Sequence, residues 1–283
     1  MILRKRPSMF GLFFVLKGSI IQRIWIQVLA IVAISVAVVG FHRSVPGIVP
    51  SLDPSPFALI GIALSIFLSF RNGACYDRWW EARKLWGLMI QTSRDLLRQT
   101  VTLEGSEERR RLLLPVVDFA RLSAAQLRGS QGPRSADDAL AETGRTVSEL
   151  ERKGRLTTVE ALVLHESLNR MSQALLGCER LASTPVPFAY TLLLHRTAYI
   201  YCTILPFGFA DTLGWVAPLA AGLVAYAFFG LDALAEELEE PFSDKLNALP
   251  LTAYATSVEI ALRGGLGDRD LPPVPTPVGF VLR

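Results

Sequence analysis

The chain is short of the residues that bind metals, form disulfides or carry proton chemistry. Its 283 residues include three cysteines and three histidines. Cys75, Cys178 and Cys202 are far apart, form no CxxC pair and are odd in number. No secretory disulfide framework is expected; they read as free thiols of a reducing compartment. His42, His165 and His195 are equally scattered, and none stands at metal-ligand spacing from a cysteine or carboxylate. There is no Gly-rich phosphate loop, GxSxG or HExxH. No catalytic residue, metal or cofactor is therefore expected, and the chain does not read as an enzyme. The net charge of +3 is too small to imply a nucleic-acid partner. Internal repeats and strand patterns are missing as well.

Apolar residues are what the chain has in quantity. They make up 51 % of it, with a mean hydropathy of +0.34, although 19 % of residues are charged. That mixture predicts apolar spans joined to a water-soluble part. The first span is about Ile24–Phe41, uncharged and about the minimum length to cross a bilayer core. The second is about Phe57–Phe70, extended by the polar helix after it to about residue 76. The third is about Phe188–Phe209 and the fourth about Leu213–Leu231. Arg4, Lys5 and Arg6 resemble the start of a signal peptide. The first span is long and far from them, and no small-residue cleavage site is obvious, so an uncleaved span is favoured.

Charge orients these spans. Arg4, Lys5, Arg6, Lys17 and Arg23 precede the first, and Arg71, Arg78, Arg83 and Lys84 follow the second, whereas the Ala-Asp-Thr link between the third and fourth carries no basic residue. The positive-inside rule then places both termini and the middle region in the cytoplasm. The Pro-rich segment SVPGIVPSLDPSP lies outside as a turn or short loop. The polar region, about 77–187, reads as helical. RRRLLLPVVDFARLSAAQLR places Leu112, Val116, Phe119 and Leu122 near helical spacing, with Pro115 ending or kinking it. GSQGPRSADD is a breaker-rich loop. A helix over about Leu156–Leu181, capped by Thr157 or Thr158, puts Leu162, His165, Leu168, Leu175 and Leu176 near one face.

Two stripes run along the second span. Gly61, Ser65, Ser69 and Gly73 form a small-residue seam at four-residue intervals, the spacing that lets helix backbones approach closely in lipid. Ile62, Ile66 and Phe70 form a bulky apolar stripe beside it, able to line a narrow dry constriction. An ordinary membrane helix with its end in the headgroups would look similar. His195 and Arg196 lie inside the third span, Arg196 roughly 12 Å in by helical rise. Snorkelling or an internal salt bridge accounts for them, and direct ion binding is the alternative. Asp232, Glu236, Glu237, Glu239 and Glu240 cluster on a helix that Pro241 ends. A solvated face, or salt bridges to the basic end of the second span, is favoured over a Ca²⁺ site, because consecutive helical positions fan outward. The tail DLPPVPTPVGFVLR should be extended, with Phe280, Val281 and Leu282 packing on something, such as a neighbouring subunit.

The run FRNGACYDRWWEARKLWG (70–87) resembles the signature of the bestrophin family in its bacterial form. ERLASTPVPFAYTLLLHR (179–196) and GLDALAEELEEPF (230–242) resemble two further landmarks of that family. The resemblance covers nearly the whole chain, which it makes a single channel domain over 1–283. It implies an all-α integral membrane protein with four transmembrane helices and a helical cytosolic region, assembled as a homopentamer around one central pore. It places the pore neck at Ile62, Ile66 and Phe70, and by register a cytosolic aperture at Leu181 or, one turn away, Cys178. The partners implied are the chain itself, membrane lipid and permeant monovalent ions, in a bacterial inner membrane. Cations such as sodium are expected from the bacterial branch. Anions such as chloride, as in the animal branch, are the alternative; a proton-coupled transporter using His195 and Arg196 stands further off, since inverted repeats are not evident. The acidic run of the animal Ca²⁺ clasp is missing after Pro241-Phe242, so Ca²⁺ gating is not expected.

Overall fold

The computed structural model describes residues 1–4, 8, 10–11, 15–45, 52–130 and 132–282. Lys5 and Arg6 of the N-terminal basic cluster, residues 46–51 of the Pro-rich interspan loop and Gln131 of the breaker-rich loop lie outside the described residues. The described chain is helical: α1 Ile21–Ser44, α2 Pro54–Gln99, α3 Glu107–Leu127, α4 Ala136–Arg152, α5 Thr158–Ser183, α6 Phe188–Leu213, α7 Ala217–Glu239 and α8 Leu251–Gly265. Among the described residues no strand forms; the only β contacts are isolated bridges, Ile2 to Val281 and Val278 to Val281.

The chain divides into two compact units. One comprises Met1–Lys5, Trp79–Thr184 and Glu240–Arg283, the other Arg6–Arg78 and Pro185–Glu239. The second, apolar unit holds α1, the first part of α2, α6 and α7. Helix α2 starts on a strong local signal. Asp53 accepts hydrogen bonds from the Ser55 amide (2.9 Å) and hydroxyl (2.8 Å), and Pro54 occupies the first turn, where its missing N–H costs nothing. Pro56 also falls in that first turn, and with no proline after it the helix runs unbroken for 46 residues.

Three stretches are long and apolar enough to cross a membrane: Ile21–Ser44, Pro54–Gln99 and Phe188–Glu239. The last is divided. Ala210, Asp211 and Thr212 contain no helix breaker, so α6 continues past the expected boundary to Leu213. Gly214 then takes φ +50°, a conformation a side chain resists, and a short 3₁₀ turn over Gly214–Val216 leads into α7. The two helices fold back on each other. His195 meets Asp232, Tyr199 stacks on Phe229 (4.4 Å between ring centroids) and Tyr201 meets Phe228 (5.5 Å). Rising numbers on one helix pair with falling numbers on the other, which defines an antiparallel hairpin. Ile24, Ile31, Leu64, Leu68, Leu194, Leu205 and Phe229 lie in the core of this unit.

In the other unit the second part of α2 packs with α3, α4, α5 and α8 around Trp86, Met89, Phe119 and Met171, all buried. Pro115 neither ends nor breaks α3; it sits buried inside the helix. Thr157 is the cap of α5: its hydroxyl accepts from the Glu160 amide (3.2 Å), and the Glu160 carboxylate accepts from the Thr157 amide (2.8 Å). The face expected for α5 needs correction. Leu162 and Leu176 are exposed, and the buried stripe is Ala161, Leu164, Leu168, Met171, Leu175 and Cys178. That stripe steps by three and four residues, as a helix of 3.6 residues per turn requires. The tail after α8 is extended and meets its own N-terminus: Leu3 donates to the Phe280 carbonyl (2.9 Å), and Leu282 to the Met1 carbonyl (2.8 Å).

Candidate functional site

Helix α2 presents the apolar stripe outward. Ile62, Ile66 and Phe70 are 60, 49 and 66 % exposed in the subunit. The opposite face is buried at Leu64, Leu68, Arg71 and Cys75, spaced as one stripe of a helix facing its own unit. The small-residue seam does not keep to one surface. A four-residue step overshoots a helical turn by about 40°, so a seam of fixed spacing winds around the helix. Gly61 lies against α6, where an added Cβ would come 2.5 Å from the Tyr201 hydroxyl oxygen. Ser65, Ser69 and Gly73 are exposed, with nothing within 4 Å of a Cβ at Gly73. The Ser65 hydroxyl donates to the Gly61 carbonyl (2.7 Å), so it needs no partner outside its helix.

Sequence reasoning expected salt bridges between the acidic helix and the basic end of the second span, and missed how deep they lie. Arg71, one of those basic residues, is 1 % exposed. Its guanidinium donates to Asp232 Oδ1, and a second nitrogen lies 3.8 Å from Glu239 Oε2. The other Asp232 oxygen lies 2.7 Å from His195 Nδ1. An ionised carboxylate can only accept, so Nδ1 carries the hydrogen. Glu239 also accepts from the Val186 amide (3.0 Å), and Glu236 pairs with Arg23. Of the two readings of the acidic helix, salt bridges describe these residues. The signal was present: Arg71 continues the stripe Leu64–Leu68, and an arginine on a buried stripe requires a carboxylate. His195 thus makes an internal bridge, while Arg196 is exposed and has no ion pair among the described residues.

Leu181 and Cys178 are buried in the core of the first unit. Burial pushes the Cys178 thiol up to about 12. All three cysteines are free and buried. Among the described residues no three His, Cys, Asp or Glu side chains converge as metal ligands.

An unbroken second helix with an outward apolar stripe and a hairpin of two further apolar helices define a helical protein of membrane-spanning pattern. The chain belongs to the bacterial/fungal bestrophin family, whose pattern it matches over residues 1–264. Particular relatives agree. The chain is 41 % identical to a voltage-dependent anion channel-forming protein of Mesorhizobium japonicum, over 95 % of this chain and 93 % of that one. It is 37 % identical to the voltage-dependent anion channel-forming protein YneE of Salmonella typhi, over 96 % of each. Among solved structures, a bacterial bestrophin homologue from Klebsiella pneumoniae superposes with a TM-score of 0.82 at 33 % identity, covering 88 % of this chain and all of that one.

Proposed function

We propose that the chain is the subunit of a homopentameric ion channel of a bacterial inner membrane, and not an enzyme. Five copies of α2 surround the axis, with Ile62, Ile66 and Phe70 forming the neck. The observation that carries this reading is the stripe itself: three bulky apolar side chains, unoccupied by their own subunit, on a helix that buries an arginine on its other side. Rings of such residues pass ions by wetting and dewetting, without chemistry. Four crossings follow from dividing the last apolar stretch at Gly214. Its helices of 26 and 23 residues extend roughly 39 and 35 Å by helical rise, each enough for a hydrocarbon core of about 30 Å. The pairing of Met1–Leu3 with Phe280–Leu282 is consistent with both termini on one side, and the basic residues favour the cytoplasm.

For ion sign, both relatives named above carry anion channel in their names, and they favour the anion alternative over the cation expectation. A monovalent anion such as chloride is therefore proposed. Asp232, Glu236 and Glu239 are engaged in ion pairs, so conduction is expected to persist in a strong Ca²⁺ chelator. The second constriction remains assigned to Leu181 or Cys178 by register with the family. Reversal potentials of purified protein in planar bilayers under a NaCl gradient test the reading. They should follow the chloride gradient; following sodium would return the cation reading, and no current in verified oligomers would sink both.

A further inference from the structure

Arg71 follows the neck residue Phe70 directly, and its charge is balanced inside the subunit. The balancing carboxylate, Asp232, is shared: one oxygen takes the Arg71 guanidinium and the other faces His195 Nδ1 at 2.7 Å. Arg71 and Asp232 are buried, whereas half of the His195 side chain is exposed. The histidine is thus the accessible end of a buried charge chain, and histidine is the side chain whose charge ordinarily changes between about pH 5 and 8. We propose that His195, Asp232 and Arg71 form a proton-sensing element that sets the charge behind the neck.

The inference rests on the channel reading. With His195 neutral, Asp232 offsets Arg71. When His195 Nε2 takes up a proton, the same carboxylate faces two cations, and one positive charge is added beside Phe70. The step is one unit of charge whatever the surroundings already carry. On α7, Glu239 also faces Arg71 and accepts from the Val186 amide, and Glu236 pairs with Arg23 of α1. On its own helix, His195 has the neutral Tyr199 ring 4.5 Å away and the cationic Arg196 next in sequence. A positive charge behind an uncharged constriction favours anions through it and disfavours cations.

Bilayer recordings at about pH 8 and about pH 5.5 test this in wild type and in His195→Gln, whose amide still donates to Asp232 but takes up no proton. The wild-type chloride-to-sodium permeability ratio should rise on acidification by on the order of two- to tenfold, as expected for one charge within about a Debye length of the ion. In His195→Gln it should stay flat. In parallel, His42→Gln/His165→Gln leaves His195 as the one imidazole, and its NMR ring signals should titrate with the midpoint of the permeability change. A ring that takes up no proton in this range, a flat wild-type ratio, or an intact response in His195→Gln each overturns the proposal. Should His195→Gln not assemble, the wild-type ratio and the ring titration decide between them. No current at any pH fails the channel reading instead, and the ring titration still decides whether the element takes up a proton.

Discussion

The two units are built on opposite plans, and α2 shows both along one helix. Up to Arg78 it exposes Leu59, Ile62, Ile66, Phe67 and Phe70 and buries Arg71. Beyond Trp79 it buries Ala82, Trp86, Met89 and Leu96 and exposes Lys84, Arg94 and Arg98. The helix is continuous; what differs is the medium each stretch was selected against. In water, apolar burial drives folding and charges are left at the rim. In lipid the outside is as apolar as the core, so grease on the surface costs nothing and close packing holds helices together. The unit of water-soluble pattern follows the first rule with two buried exceptions, Arg109 and Glu259. Its carboxylates pair at the rim, as Asp268 does with Arg263 (2.9 Å) and Arg110, and its helices start on capping boxes at Ser135 and Thr157.

The largest test of this contrast is the buried charge. Removing one partner, by Arg71→Met or Asp232→Leu, strands the other, at a cost of about 3–5 kcal/mol. Thermal melting and oligomer yield in detergent should fall sharply for each single variant. The double variant should recover most of the loss. Double-variant stability no better than the singles would show that the pair is not the unit of cost.

Next is a matched pair of truncations. Trp86→Ala in the water-type core should cost about 3–5 kcal/mol. Ile62, Ile66 and Phe70 replaced together by alanine should leave the melting temperature of the assembled protein far less affected, while single-channel current rises. Unchanged current, with protein amount and oligomer verified, would remove this stripe as the limiting gate.

A smaller effect is expected at the seam. Ser65→Ala should assemble normally, and Ser65→Leu should weaken the oligomer, because bulk would separate close neighbours. If Ser65→Leu leaves oligomer yield untouched, that face of α2 meets lipid. Gly61 requires a different reading: its substitution would press on Tyr201 within the subunit.

Stronger acid, below the range in which histidine titrates, should produce the smallest effect, a loss of stability in the water-type unit. Backbone hydrogen bonds from Ser135 and Thr157 hold Asp138 and Glu160 below the usual carboxylate range, and the Arg263 guanidinium does the same for Asp268. Folded values below unfolded ones mean stability present at neutral pH and lost as pH falls through the lowered values. Hydrogen exchange of α4 and α5 should therefore quicken below about pH 4. Loosening that begins near neutrality would point to other groups.

The helical class, the apolar stretches and the cap of α5 were legible because each is a local signal: hydropathy, periodicity, or Thr157 and Glu160 three residues apart. The outward stripe of α2 was legible for the same reason. What escaped was depth: salt bridges from the acidic helix to the basic end of α2 were expected, but charge counting does not show that Arg71 and Asp232, 161 residues apart, meet in a buried position. The face of α5 was misread at Leu162 and Leu176 because leucine marks a core only when its neighbours, here Ala161 and Leu164, fall on the same side.

The three enclosed thiols leave this chain chemically quiet toward reagents arriving from water. A reporter placed at Ile62, Ile66 or Phe70 would need no prior removal of native cysteines, each of which fills core space in its own unit. The protein therefore comes with a blank background for site-directed labelling, and its outward stripe can be mapped one position at a time without disturbing the packing that holds it in place.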